Sequence, residues 1–504
     1  PTNLLMENEL MSLPHALKSI HFPIDSQDAA NARKRLAFDE LLILQLGMLT
    51  MKNHSREKTA YIMDKNTDMT AFFGSLPFEM TDAQKKSISD VINDMSTDSP
   101  MNRLLQGDVG SGKTAVAAAA CYFACQNGFQ SALMAPTEIL AVQHYNTLKS
   151  FLEPIGVNVV LLTGSMTAKQ KRIAKEALKS GEAAVAAGTH AIIQKDVEFQ
   201  RLGLVITDEQ HRFGVAQRAA LADKGNSPHR LVMSATPIPR TLALIIYGDL
   251  DISIINQMPK GRLPVKTYAV TGKLRKRAYN FIKSEIDNGR QAYIVCPMIE
   301  DSDSDLQAVK SYADKLRIDD FADYEIGLLH GKMKAAEKNE IMSKFKDGKI
   351  DLLVCTTVVE VGVDVPNASI MLIENAERFG LSQLHQLRGR VGRGSQQSHC
   401  ILLTDNTGEE CIRRMKIMSK TSDGFKISEE DLKMRGPGDF FGQRQHGLPP
   451  LKIADIASDM EMMNLTKSIA EDIISKDPQL ESREYRGLKL EIIRLFNKNG
   501  GFAF

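Results

Sequence analysis

The sequence predicts an α/β protein of two tandem parallel-sheet lobes, with a helical segment before them and a helical hairpin and irregular loop after them. Three observations carry this. Short apolar runs alternate with helical stretches in two separate series, the pattern of parallel sheets covered on both faces. One glycine-rich stretch, Gly107-Asp-Val-Gly-Ser-Gly-Lys-Thr114, lies between an apolar run and an alanine-rich one. Beyond about residue 405 the alternation stops, and basic helical stretches and an aromatic, irregular one take over.

Residues 1–75 carry no catalytic signature and read as a helical linker region. Within them Ala32-Arg-Lys-Arg35 leads into Leu36–Met51, where Phe38, Leu41, Leu42 and Leu46 fall on one helix face. A helix packed on a neighbouring element is preferred over a DNA-contacting basic helix, because charge runs usually mark solvated faces. Residues 66–74 read as a loop, and Thr81 is a candidate N-cap.

The first lobe is placed at 76–258, with strands at 131–135, 159–162, 184–186, 204–206 and 231–233 in addition to the run before Gly107. Pro259-Lys-Gly-Arg-Leu-Pro264 breaks the pattern as a linker. The second lobe, 259–405, has strands at 292–296, 326–329, 352–355, 370–373 and 400–403, and no phosphate loop of its own. In 406–504, Glu409–Lys420 and Ile427–Met434 read as helices. Arg435-Gly-Pro-Gly438 ends the second, a loop from Phe440 to Pro449 follows, and the chain is helical again from Ala454.

The chain has 504 residues, 43% of them hydrophobic and 25% charged, with a net charge of +1, so any nucleic-acid surface must be local. Its apolar runs are strand-sized, too short to span a bilayer. Six scattered cysteines without a C-x-x-C pair speak against zinc and against a disulfide framework. The chain opens on Pro1 rather than Met, the expectation for a fragment or a processed chain.

The glycine-rich stretch satisfies G-x-x-x-x-G-K-[ST], in which backbone N–H groups and a helix N-terminus converge on phosphate. Gly107, Gly110 and Gly112 let the loop turn inward, Lys113 would reach the β- and γ-phosphates of ATP, and the Thr114 hydroxyl would ligate Mg²⁺. Apolar residues 204–206 end in Thr207-Asp-Glu-Gln-His211, which puts carboxylates at the ligand edge of a parallel sheet. Asp208 would hold Mg²⁺, and Glu209 would orient and deprotonate the attacking water. In the second lobe, Arg388-Gly-Arg-Val-Gly-Arg-Gly394 spaces arginines with glycines, leaving guanidinium groups free to reach a γ-phosphate.

Together these residues resemble the superfamily 2 helicases and translocases, and so imply two RecA-like lobes. Ala135-Pro-Thr-Glu138 looks like motif Ia, Gly188-Thr-His190 like motif Ib, Ser234-Ala-Thr236 like motif III, Thr356–Asp364 like motif V and Gln386–Arg393 like motif VI. The resemblance implies that Arg390 and Arg393 are arginine fingers, that Gln84 reads the adenine edge, and that Asp364 lies at the nucleotide. It implies that Thr137, Thr189, His190 and Thr356 face DNA.

A narrower resemblance is to the RecG family, from about Leu13 to the end. It rests on Asp208-Glu-Gln-His-Arg-Phe-Gly-Val215, Ser234–Leu242, Leu328-Leu-His-Gly-Lys-Met333, Gln383-Leu-His-Gln386, Asp423-Gly-Phe425 and Arg435–Gly447. It implies an ATP-dependent 3′–5′ type DNA helicase that acts on forks and Holliday junctions as a bacterial cytoplasmic monomer. Single-stranded DNA-binding protein is a candidate partner, and no membrane is involved. It also implies that Arg414 on the hairpin and Gln445 in a hook-like loop couple to each other during translocation. The family's N-terminal wedge, an OB-fold that splits fork arms, has no counterpart before residue 75. The expectation is therefore a start inside the linker that follows the wedge, which puts fork unwinding by this chain alone in doubt.

The transcription-repair coupling translocases share the lobes and a similar translocation motif, and stand as the alternative. They need a polymerase-binding domain, and none is evident. An ATP-binding scaffold that does not move on DNA sits badly with the full set Lys113, Glu209, Arg390 and Arg393. A DEAD-box RNA helicase sits badly with Gln210-His211, where Ala-Asp would be expected.

Overall fold

The computed structural model describes residues 1–54, 61–209, 221, 224–225, 227–234, 250–259, 263–297, 303–356, 365–392, 394, 396–435, 451–455 and 458–497. The described parts of 1–57, 238–251 and 429–504 belong to one compact unit, and the described parts of 58–237 and 252–428, with both sheets apart from Asp251, belong to a second.

The first sheet has seven strands: β1 (Asn102–Gly107), β2 (Gln130–Met134), β3 (Val159–Leu162), β4 (Val185–Gly188), β5 (Leu202–Asp208), β6 (His229–Ser234) and β7 (Asp251–Ile255). Their order is β3-β4-β2-β5-β6-β1-β7. The β3-β4, β4-β2, β2-β5, β5-β6 and β6-β1 ladders are parallel, with Leu104 opposite Val232 and Ile206 opposite Leu231. All of β5 is buried, as continuous apolar strands between two helical layers must be. The helix after the glycine-rich loop, Lys113–Gln126, explains the alanines: every residue from Ala115 to Ala124 is buried. Small side chains let it lie close against the sheet while supplying high helix propensity.

The second sheet has six strands: β8 (Lys266–Val270), β9 (Gln291–Val295), β10 (Ile326–Leu329), β11 (Leu352–Cys355), β12 (Ala368–Ile373) and β13 (His399–Leu403). All its ladders are parallel, in the order β10-β11-β9-β12-β13-β8. This repeats the first six positions of the first sheet, with β8 in the place of β1 and, among the described residues, no counterpart of β7. The two-lobed reading therefore holds, and the second-series strands fall where expected to within two residues. Two strands escaped the sequence reading. β8 is a half-exposed edge strand, Lys-Thr-Tyr-Ala-Val, without an apolar run, and β7 is a short polar-apolar mixture. A third difference is Thr70–Ser75, expected as loop and observed as a short helix because Phe72 anchors it in the core against Tyr122.

The other unit is helical. The long helix Ser26–His54 packs on Met460–Lys476 and Arg486–Asn497. Phe38, Leu41, Leu42 and Leu46 are buried in that seam. A Cβ at Gly47 would meet the Phe496 ring at 2.2 Å, so the helices approach through glycine. The basic run is spent internally: Arg33 makes two 2.8 Å bonds to Asp459, Arg35 pairs with Asp39 and donates to the Met11 carbonyl, and Lys34 donates to the Asn8 carbonyl. Glu40 accepts from the N–H groups of Lys452, Ile453 and Ala454 at 2.7–2.9 Å. Among the described residues after Ala454, the helix begins at Met460, with Asp459 as the N-cap residue. Burial pushes the thiols of Cys121, Cys296 and Cys400 up to about 12, which leaves them unreactive.

Candidate functional site

β1 ends at Gly107, and the loop to Lys113 turns through two left-handed glycines, Gly110 at φ +78° and Gly112 at φ +85°. An L side chain there would be strained, and at Gly112 a Cβ would also meet the Gln84 amide nitrogen at 2.2 Å. Gln84 accounts for that closeness. It is buried, it caps its own helix by accepting from Thr81 N, and it donates from Nε2 to the Ser111 carbonyl at 2.8 Å. Its amide braces the phosphate loop, so a contact with adenine would have to share it.

Lys113 Nζ donates to the carbonyls of Gly107 at 2.8 Å and Asp108 at 3.0 Å, which aims the ammonium into the loop. Burial lowers its pKa, the charges of Asp208, Glu209 and Asp108 oppose that, and Arg390 adds to the lowering. One ammonium thus lies in the fields of both acids after β5 and of an arginine from the second lobe. Thr114, half-buried, follows at the second position of the helix.

Asp208 is buried at the end of β5 and accepts from His144 Nε2 at 2.7 Å. Burial raises this carboxyl, but the His144 hydrogen bond, the His144 and Lys113 charges and the Glu209 N–H outweigh it, so Asp208 stays ionised. Glu209 has φ +53°, rare for a residue with a Cβ, and its N–H bonds to the Met233 carbonyl on β6. The sheet thus holds Glu209 in a conformation that turns the chain sharply after the strand.

His144 was not foreseen. It lies seven residues after the N-cap Thr137 on the helix Glu138–Leu152, two turns along the same face. That spacing was the available signal. Thr137 accepts from Leu140 N as a helix cap. Of the other residues expected at DNA, His190 is exposed, whereas Thr189 and Thr356 are buried, each with a hydroxyl that meets no partner among the described residues. Arg414 donates to the carbonyls of Glu377 (3.1 Å) and Phe379, which ties the Glu409–Lys420 helix to the loop after β12. Asp364, Arg393, Gln445, most of the motif V stretch, Ala235-Thr236 and the hook-like loop lie outside the described residues.

The chain matches three family models: DEAD/DEAH box helicase over 81–245, helicase conserved C-terminal domain over 274–395, and the C-terminal part of domain 3 of the ATP-dependent DNA helicase RecG over 421–500. It is 46% identical over 501 residues to an ATP-dependent DNA helicase RecG of Synechocystis, covering 99% of this chain and 60% of that one. It is 47% identical over 497 residues to the RecG of Bacillus subtilis, covering 98% of this chain and 73% of that one. A solved RecG bound to a three-way DNA junction superposes with a TM-score of 0.74 at 43% identity, over 92% of this chain and 61% of that one. Mss116p, at 16% identity and a TM-score of 0.55, shares the fold. The chain thus spans about three-fifths to three-quarters of the length of these RecG relatives, and it belongs to the RecG family of ATP-dependent DNA helicases.

Proposed function

We propose that this chain is an ATP-driven motor on branched duplex DNA, able to regress stalled forks and migrate Holliday junctions in recombination and repair. The observation that carries this is that Lys113, held by the carbonyls of the glycine-rich loop, lies in the fields of Asp208 and Glu209 from the first lobe and of Arg390 from the second. A site built by two lobes senses how they sit together, which is what a motor needs from its fuel site. Gly107, Gly110, Gly112 and Lys113 hold the phosphates. Glu209 orients the attacking water, and Arg390 stabilises the transition-state charge, with Arg393 proposed as a second finger and Asp364 at the nucleotide.

The donors offered near the phosphates are an ionised carboxylate, Asp208, and a hydroxyl, Thr114, which suit a hard cation such as Mg²⁺. When bound, Mg²⁺ would neutralise phosphate charge. The residues' own part is to present two oxygens on rigid elements, one of them oriented by His144.

DNA contacts are assigned to Thr137, Thr189, His190 and Thr356, and coupling to Arg414 and Gln445. For Thr189 and Thr356 the burial means that their loops must shift, or offer backbone N–H, to reach a phosphate. Among the described residues no helix is long and apolar enough to cross a membrane. A monomer working in the bacterial cytoplasm, with 3′–5′ polarity and in contact with single-stranded DNA-binding protein, completes the proposal.

The test is phosphate release with and without a three-way junction, over a series of salt concentrations. Release should rise with DNA, and DNA affinity should fall steeply with salt with little sequence preference, since phosphate contacts dominate. A DNA-independent rate would leave an ATP-binding scaffold, and a consensus site would overturn the phosphate-contact reading.

A further inference from the structure

An acid inside a phosphate loop is a liability, because its charge repels the anion the loop exists to bind. Asp108 is such an acid, at the loop's second position. The structure shows where its charge goes. Its Oδ1 accepts the Val109 N–H at 2.7 Å and faces His385 Nε2 at 2.6 Å. Burial raises the Asp108 carboxyl, but the His385 hydrogen bond, the Val109 N–H and Lys113 outweigh it, and the net direction is down. Asp108 therefore keeps its negative charge.

His385 comes from the second lobe, on the helix Leu381–Arg388, and is buried. Its other ring nitrogen, Nδ1, lies 2.8 Å from an Arg388 guanidinium nitrogen. Arginine can only donate, so Nδ1 accepts and Nε2 carries the proton toward Asp108. Arg388 is in turn anchored by the carbonyls of Met418 at 2.9 Å and Thr421 at 2.8 Å. Next to it, a Cβ at Gly389 would meet Val109 Cβ at 2.9 Å, so the backbone of the second lobe rests directly on the phosphate loop. A cavity of about 310 Å³, lined by Asp108, Gln257, His385 and Phe425 among others, opens beside the pair.

We propose that His385 is a positioning residue for ATP binding: a donor held in one tautomer by Arg388, it turns the Asp108 carboxylate away from the phosphates, so the loop accepts ATP well only while the second lobe is seated on it. This rests on the proposed ATP site and adds a device to it. Neither residue touches the reacting atoms.

The experiment uses the full chain and ATP itself, read as KM in DNA-saturated turnover and as equilibrium binding of a fluorescent ATP analogue. His385→Ala frees the carboxylate to face the phosphates and should weaken both by about tenfold, the scale of one unit charge brought near an anion at the protein surface. His385→Gln, whose amide N–H can still reach Asp108, should stay within about threefold of wild type. The deciding variant is the double His385→Ala with Asp108→Asn, which removes the repelling charge and should recover most of the lost affinity. A packing role for His385 predicts no such recovery. If the double variant binds ATP as weakly as His385→Ala, or if His385→Ala binds as wild type does, the inference falls. If the wild-type chain itself turns over no ATP, the proposed function falls instead, and the binding arm still reads the loop.

Discussion

The two lobes share one strand order and treat the equivalent positions in opposite ways. After β1 the chain runs through a long glycine-rich loop into a helix that starts at Lys113. After β8, which takes the β1 position, only a short turn leads to the helix starting at Arg275. In that turn the Gly272 N–H donates to Asp405 Oδ1 at 2.7 Å, so a carboxylate of the protein itself meets a backbone amide of the turn. β5 ends in Asp208 and the left-handed Glu209, and β12 is followed by Glu374 and the left-handed Asn375 at φ +45°. In the first lobe Asp208 is held by His144 while Lys113 is held by carbonyls, so cation and acid stay apart. In the second, Arg275 bonds Glu374 at 2.5 Å, and the hydroxyls of Tyr312 (2.8 Å) and Tyr279 close over it. Burial first and then Glu374 push the Tyr312 hydroxyl far up, which keeps it a neutral donor. The same scaffold leaves the cation and the acid apart in one lobe, at the proposed fuel site, and joins them in a half-buried polar cluster in the other.

The sharpest break of this contrast is Arg390→Ala. If the second lobe's contribution to chemistry is one arginine delivered to the first, kcat should fall by about 10³–10⁵ with little change in KM for ATP. A pure KM effect would place Arg390 in ground-state binding. Within the first lobe, Lys113→Ala and Glu209→Gln should each lower kcat by at least about 10²–10³ in DNA-saturated phosphate release. Near wild-type turnover from either would remove the site assignment.

The opposite lobe should answer differently. Arg275→Ala leaves Glu374 buried with fewer partners, and should destabilise the chain by about 1–3 kcal/mol in urea unfolding while kcat per folded molecule stays within about twofold. A large loss of kcat at full stability would mean that this cluster works in turnover and is not a structural ion pair. The smallest effect concerns the helix Glu409–Lys420. Arg414→Ala releases it from the Glu377 and Phe379 carbonyls, and should lower triplex displacement about fivefold to tenfold with DNA-stimulated ATPase retained. A proportional fall of both activities would make Arg414 a folding contact.

The sequence by itself determined the features whose signal is local. The glycine spacing of 107–114, the acids that follow an apolar run, the alanines of a buried helix and the heptad-like face from Phe38 to Leu46 are each legible within about fifteen residues, because helix and strand periods are properties of contiguous chain. Motif resemblance extended that reach to Arg390 and Arg414 as candidates, without their contacts. Tertiary structure alone decided the pairings. His144 meets Asp208 across 64 residues, His385 meets Asp108 across 277, and Arg275 meets Glu374 across 99. Such contacts depend on which strands become neighbours through crossovers and on which side chains the opposing faces then bring within hydrogen-bond reach. No local period encodes that. For the same reason β8 was missed: a half-exposed edge strand is stabilised by its ladder to β13 and shows no apolar run of its own.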